Sequence, residues 1–344
     1  MSQGSPSTFD EDAYLAANPD VAAAVAAGTI SSGLVHYQRY GANENRALQP
    51  NVRAAPLRLP FQKHKIPQRR DKILAGLDLR SLEGVEIGAL TAPLVTRSEG
   101  NIFYVDHADT KTLQESYRLH SAVDVANIVD VDGVWGDHTL QECLGRERQV
   151  DYVVASHVIE HTPDMITWLR EIRAILRPNG TLRLAIPDRR YTFDYLRFDS
   201  RIHDVLDAYL RRARTPLPRA IIEHHSLLRY VDIKAAWDCT LDDANLVPYN
   251  TTSKGLDLAR DAIENGTYHD VHCWVFTPVT FAELCMQLAE LDLLDFACGY
   301  HIETPRHESE FYVGMVADDD RNARIASWAR MRDSLRASAT YQWT

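Results

Sequence analysis

Residues 151–187, DYVVASHVIEHTPDMITWLREIRAILRPNGTLRLAIP, constrain this chain more than any other stretch. They read as strand, loop, amphipathic helix, tight turn and strand. DYVVAS is a short β-branched run of the kind buried in a parallel sheet. Thr162 and Pro163 predict an N-cap and a first-turn proline, Ile166, Leu169, Ile172 and Leu176 recur at helical spacing, and Pro178-Asn179-Gly180 predicts the stop. SHVIEH, from Ser156 to His161, then falls at the carboxyl end of a strand, where open α/β sheets bind ligands.

The same alternation runs from residue 71 onward. GVEIGA predicts a strand ending in glycine, NIFYVDHAD and ANIVDVD strands ending in acid, and DYVVAS and TLRLAIP follow. Thr277-Pro278 opens a helix through Phe281, Leu284, Leu288 and Leu291, and DFACGYHI with EFYVGMVA predicts a closing antiparallel pair. The expected fold class is α/β, a doubly wound, mainly parallel seven-stranded sheet. Residues 188–276 are too long for a connecting loop and predict a substrate-covering insertion inside a domain of residues 71–320. Between Arg183 and Arg219 that region carries nine arginines against five aspartates, reversing the overall charge. A C-terminal helix or tail is expected over 321–344.

Residues 8–47 form an Ala-rich helical unit of their own, and 48–70, with Pro50, Pro56, Pro60 and Pro67, predict an extended linker. The first of these resembles a short accessory module, FDxxxYLxxNPDVAxAV followed by HYxxxGxxExR, appended to varied bacterial proteins. It is expected to pack helices and to mediate self-association or contact with a protein partner. At 45% hydrophobic content the chain can build a sizeable core. Lys plus Arg 37 against Asp plus Glu 48 leaves −11, which offers no general attraction to nucleic acid or an anionic membrane. Five scattered cysteines without CxxC spacing predict neither a zinc knot nor a disulfide framework. No apolar run of 18 residues and no signal-like start appear, so a cytoplasmic protein is expected.

Several residues carry chemistry by position. Gly88 lacks a Cβ at a strand end, which lets a cofactor approach the backbone. Asp106, about 20 residues further on, is placed to accept hydrogen bonds from vicinal ribose hydroxyls, a logic that also serves a nicotinamide dinucleotide. Asp132 is a candidate acceptor for an adenine amino group, with Asp130 competing for the role. His157, Glu160 and His161 fall at i, i+3 and i+4, so on a helix they share one face and form a candidate site for a divalent cation.

Taken in order and spacing, Glu86-Ile87-Gly88-Ala89, Asp106, Asp132, SHVIEH and LRPNGTLRLAIP resemble class I S-adenosylmethionine-dependent methyltransferases over about residues 71–187, with a weaker echo at 277–316. The resemblance implies a Rossmann-like sheet, S-adenosylmethionine as cofactor and a pocket formed by Glu86, Gly88, Ala89, Asp106, Asp132, Ser156 and His157. Glu86 would face the cationic amino-acid end. It places SHVIEH along the cofactor pocket rather than on a metal, so no metal ligand is assigned. GALTAP departs from the usual GxGxG, and the absent GxGxxG argues against a dinucleotide-dependent oxidoreductase.

An alcohol acceptor also needs a base. Histidine suits that task near neutral pH, and His225, His272 and Asp188 are the catalytic candidates, with His224 and His161 on the substrate side. Arg189 and Arg190 are placed to hold a substrate carboxylate or phosphate. Arg211, Arg212 and Arg214 read as a solvated helix face, and DRRYTFDYLRFDSR as an exposed ion-paired helix. DRRYTFDYLR and HDVHCWVFTP resemble bacterial methyltransferases of surface-polysaccharide or other sugar biosynthesis, which implies O-methylation of a small-molecule sugar or a glycan precursor. A secondary metabolite or peptide acceptor, and a non-catalytic binding protein, are the alternatives.

Overall fold

The computed structural model describes residues 9–42, 44, 46, 48, 69–118, 123–136, 138–145 and 147–338. The chain divides into two compact units, 1–63 and 64–344. Most of the expected linker and residues 339–344 of the expected tail lie outside the described residues.

In the first unit α1 (Glu11–Ala17), α2 (Pro19–Ala26) and α3 (Gly33–His36) pack around Tyr14, whose hydroxyl bonds His36 Nδ1 at 3.0 Å. Glu11 accepts the backbone N–H groups of Gly33 and Leu34 at 2.5 and 2.9 Å, so its carboxylate caps α3 from α1.

The second unit begins with α4 (Arg69–Ile73), β1 (Glu83–Ile87), β2 (Asn101–Asp106), α5 (Thr110–Tyr117), β3 (Gly133–Val134), α6 (Leu140–Leu144), β4 (Val150–Ser156), α7 (Met165–Ile175) and β5 (Leu176–Pro187). The insertion holds α8 (Ile202–Arg211), α9 (Pro218–Leu227), α10 (Ile233–Trp237) and α11 (Thr252–Asn265). It is followed by α12 (Pro278–Glu290), β6 (Phe296–Ile302), β7 (Glu310–Ala317) and α13 (Arg321–Arg336). The seven strands run in the order β3-β2-β1-β4-β5-β7-β6, with only the β7 pairings antiparallel. The chain leaves β1 toward β3 and returns to β4 on the other side. The carboxyl ends of β1 and β4 therefore flank a topological switch point, where such sheets open a ligand crevice.

Alternation along β4 explains the layering. Val153 and Ala155 enter the core that α7, α12 and α13 cover, whereas Tyr152 and Val154 enter a second core with Ile73 of α4 and Val95. Both faces are buried, so the strand reads as a continuous apolar run. The C-terminal helix is a layer of the domain rather than a tail. Trp328 of α13 is fully buried, donates to the Phe296 carbonyl at 2.9 Å and packs edge-on against Phe281. Among the described residues no helix is long and apolar enough to cross a membrane, and the five cysteines are unpaired.

Three local expectations are corrected. The cap of α7 is Asp164, accepting the Thr167 N–H at 3.0 Å, while Thr162 closes the preceding 3-10 turn. Pro178-Asn179-Gly180 is a bulge within β5, whose pairing skips from Leu176 to Thr181. The third strand is not ANIVDVD but the two residues after it, so Asp132 precedes β3 instead of ending it.

Candidate active site

Gly88 follows β1 at φ 72°, a left-handed conformation natural to glycine, and a Cβ there would lie 3.1 Å from Val158. Glycine thus lets the SHVIEH segment close over the end of β1. A cleft of about 1920 Å3 opens there, lined by Gly88, Asp106, Trp135, Ser156, His157 and His161 on the sheet side and by Arg212, Tyr268 and Asp270 from the insertion.

Asp106 ends β2 at this cleft, and its carboxylate is held by the ring and the backbone N–H of His107, each at 2.7 Å. That bond raises the His107 pKa against the opposing effect of burial. Glu86 and Ala89 do not line the cleft. Glu86 is buried below the 88–95 loop, accepting the N–H groups of Leu94 and Val95 at 2.7 and 3.0 Å, and burial pushes its pKa up to about 7. It shapes the loop from beneath. Ala89 packs in the second core. Asp132, on the amino side of β3, is ion-paired with Arg97 at 2.8 Å and accepts the Tyr104 N–H. The residue at the carboxyl end of β3 that reaches the cleft is Trp135, anchored through Nε1 on Glu171 at 2.9 Å.

His157 adopts φ 55°, rare for a side chain with a Cβ. Its Nε2 bonds Glu310 at 2.6 Å, and Glu310 also accepts from Arg69 at 2.6 Å and from the Tyr312 hydroxyl at 2.7 Å. Burial pushes the Glu310 carboxyl up, but the bonds from His157 and Arg69 more than offset it and hold it at about 2. Arg69 also donates to Ser156.

SHVIEH is a 3-10 turn over Ile159–His161, so the i, i+3, i+4 face expected for a cation does not form. His161 lines the cleft, with Nδ1 bonded to Asp270 at 2.7 Å. Burial lowers and Asp270 raises its pKa, and the net shift is upward. Against its ring, centroids 4.7 Å apart, stands that of His272, whose Nδ1 bonds Asp194 at 2.5 Å. Burial pushes the Asp194 carboxyl up, and His272 with Arg197, the latter at 2.9 Å, more than offsets it and holds that group well below the usual carboxylate range. The His272 N–H donates to His224 Nδ1 at 3.3 Å; burial, then Arg197, brings the His224 pKa down to about 3 and keeps that ring neutral. DRRYTFDYLRFDSR is therefore no exposed helix. It begins as a 3-10 turn and buries Asp194 and Arg197 behind the histidines.

The other expected residues lie elsewhere. Asp188 is fully buried, with both oxygens taken by Arg190, at 2.7 Å to the nearer nitrogen, and by the Thr304 hydroxyl at 2.6 Å. Neither Asp188 nor Arg190 lines the cleft. Arg189 pairs with Asp199 at 2.9 Å beside a separate cavity of about 240 Å3. His225 is packed between helices: a Cβ on Gly255 of α11 would meet its own Cβ at 3.0 Å. Arg211, Arg212 and Arg214 are exposed, as expected, and Arg212 and Arg214 also border the cleft. Asp270 belongs to HDVHCWVFTP and Asp194 to DRRYTFDYLRFDSR, whose alternating charges predict an exposed ion-paired helix.

Residues 82–240 match the family model described as a methyltransferase domain. No curated protein matches. Among solved structures the chain is similar to the CurJ carbon methyltransferase, at 12% identity, covering 72% of this chain and 51% of that one, with a TM-score of 0.34. It thus spans about half of that structure's length. A putative S-adenosylmethionine-dependent methyltransferase from Listeria monocytogenes aligns at 11% identity over 73% and 96% of the two chains, TM-score 0.36. A putative Zn-dependent alcohol dehydrogenase from Rhodobacter sphaeroides aligns at 13% over 74% and 91%, TM-score 0.40. TM-scores this low carry no argument about chemistry. The span matched by the family model runs from β1 into the insertion and includes Gly88, Asp106, His157 and His161. Residues 82–240, a little under half of the chain, are thus similar to a methyltransferase domain.

Proposed function

We propose that the chain is an S-adenosylmethionine-dependent O-methyltransferase of a sugar or glycan precursor, in which His161 and Asp270 activate the acceptor hydroxyl. The observation that carries this reading is a shared cleft: Gly88 and Asp106 line the same cavity as His161 and Asp270. Its volume, about 1920 Å3, exceeds the roughly 300–1,000 Å3 of a single small-ligand site. Cofactor and acceptor fit side by side.

The residues present suit the cofactor. Asp106 offers a carboxylate to ribose hydroxyls, and Gly88 offers backbone without a Cβ. When bound, S-adenosylmethionine supplies a methyl group activated on a sulfonium. The protein's share is alignment, which is the dominant factor in such a transfer, and removal of the acceptor's proton, worth about 10²–10⁴-fold. Asp270 holds His161 Nδ1, which leaves Nε2 to take that proton. Arg212 and Arg214 on the cleft wall suit an acceptor bearing phosphate or carboxylate, such as a nucleotide-linked sugar.

The test is transfer of labelled methyl from S-adenosylmethionine to a panel of nucleotide sugars, amines and peptides. Label on a sugar oxygen is the expected result. Label on amines or peptides alone would move the acceptor to the secondary-metabolite or peptide class.

A further inference from the structure

We infer that Glu160, His161 and His272 form a binding site for a divalent first-row cation in the inner wall of the cleft. One ligand atom of each lies within 4.8 Å of the other two. Each imidazole is already oriented by a carboxylate on its far nitrogen, Asp270 on His161 Nδ1 at 2.7 Å and Asp194 on His272 Nδ1 at 2.5 Å. With Nδ1 donating to the carboxylate, Nε2 of each ring carries the lone pair that a metal takes.

A second observation points to a ligand independently. Glu160 is 1% exposed, and neither carboxylate oxygen has a hydrogen-bond partner among the described residues. The nearest ring nitrogens are His157 Nδ1 at 3.6 Å and His161 Nε2 at 4.0 Å, beyond hydrogen-bond length. A buried carboxylate without donors is strongly disfavoured unless something of opposite charge meets it. Glu160 is nonetheless held in place by its backbone. Its carbonyl accepts the N–H groups of Cys273 and Trp274 at 2.6 and 3.2 Å, and Trp274 Nε1 donates to the Thr162 carbonyl at 2.6 Å. These bonds fasten the turn carrying Glu160 and His161 to the segment carrying His272.

The donor set selects the cation class. Two imidazoles and one carboxylate suit Zn2+, Co2+, Mn2+ or Fe2+, whereas Ca2+ and Mg2+ prefer all-oxygen shells. Tetrahedral ligands about 2.0–2.2 Å from a metal stand roughly 3.4 Å from one another, so the 4.0 Å gap between Glu160 and His161 closes by less than about 1 Å. Of the three only His161 lines the cleft, so the open coordination position faces it. The third ligand is His272, not the His157 suggested by spacing, because His272 and not His157 has a ring nitrogen within 4.8 Å of both other ligand atoms. The site stands without the methyltransferase reading; only its consequence rests on that reading. A cation here would lower the pKa of a coordinated acceptor hydroxyl, whose proton would then leave to solvent in the cleft instead of to His161 Nε2.

The experiment is titration of the chelator-stripped full chain with Co2+, followed by visible absorption, with Zn2+ as competitor and S-adenosylhomocysteine binding measured on the same sample. The expected result is one Co2+ per chain, displaced by Zn2+ and weakened at least 100-fold by Glu160→Gln and by His161→Ala. Asp194→Asn should weaken it by about 10–100-fold. Glu160→Gln keeps the side chain's shape and decides the matter if a His272→Ala protein does not fold. Absence of stoichiometric Co2+ and Zn2+ binding, or binding unchanged in both Glu160→Gln and His161→Ala, overturns the inference. If S-adenosylhomocysteine still binds in that case, the functional reading survives it.

Discussion

Two clusters of buried charge sit near the carboxyl edge of the sheet, and they are built differently. Beyond β5, Asp188 is closed off: Arg190 and Thr304 saturate its oxygens, and it lines neither the cleft nor the smaller cavity beside Arg189 and Arg190. Beyond β4, His161 and His272 stand about the buried Glu160 carboxylate, whose oxygens have no hydrogen-bond partner among the described residues, and His161 opens on the cleft. A saturated buried ion pair holds structure together, because removing either partner strands the other. An unsaturated one beside a cavity is kept for something that arrives.

That contrast can be broken by substitution, and the largest effect is expected at the closed cluster. Asp188→Ala leaves the Arg190 guanidinium buried and unpaired, and should cost about 3–5 kcal/mol in urea unfolding. A loss below about 1 kcal/mol would show that this pair does not hold the β5 end. At the open cluster His161→Ala should change stability little and lower turnover by about 10²–10⁴-fold. Because Asp270 raises the His161 pKa, its ring stays protonated above the ordinary 6.5, and activity should rise with pH through an apparent value above 6.5. An acid limb below 6.5 would remove His161 as the group that titrates.

A smaller effect is expected at Glu310, which bridges Arg69 and His157. Its folded pKa, about 2, lies below the ordinary 4.5. The stabilisation is therefore fully present above about pH 4.5 and is lost as pH falls through about 2, for a total of roughly 3 kcal/mol. Glu310→Gln should flatten acid unfolding across that window; an unchanged pH dependence would show that the bridge contributes nothing. The smallest effect is expected on the cleft wall, where Arg214→Ala should raise KM for an anionic acceptor a few-fold and leave kcat in place, as suits a charge worth about 0.2–1 kcal/mol. A matching fall in kcat would move Arg214 toward the reacting atoms.

What could be read from the residues follows how local the signal is. EFYVGMVA coincides with β7, and Thr277-Pro278 marks the start of α12, because periodicity and capping are carried by neighbours in sequence. Gly88, Asp106, Ser156 and His157 line the cleft at positions legible for the same reason: each ends or follows a strand. Asp132 was displaced because IVDVD alternates like a strand while the edge of the sheet pairs only Gly133 and Val134. The insertion defeated the reading most. His272 and Asp194 meet across 78 residues of chain, and no periodicity announces such a pair. His225 sits on the face of α9 that packs against Gly255, a matter of helix orientation. Nor does the sequence reveal that Glu160 lacks donors, since that depends on everything folded around it.

The claim on which the rest depends is that the cleft beside Gly88 and Asp106 is the cofactor site, and calorimetric titration with S-adenosylhomocysteine tests it directly. Stoichiometric binding should weaken by about 10–100-fold in Asp106→Asn, the loss of charge-assisted hydrogen bonds to the ribose. No heat of binding at millimolar ligand, or equal affinity in Asp106→Asn, would contradict it.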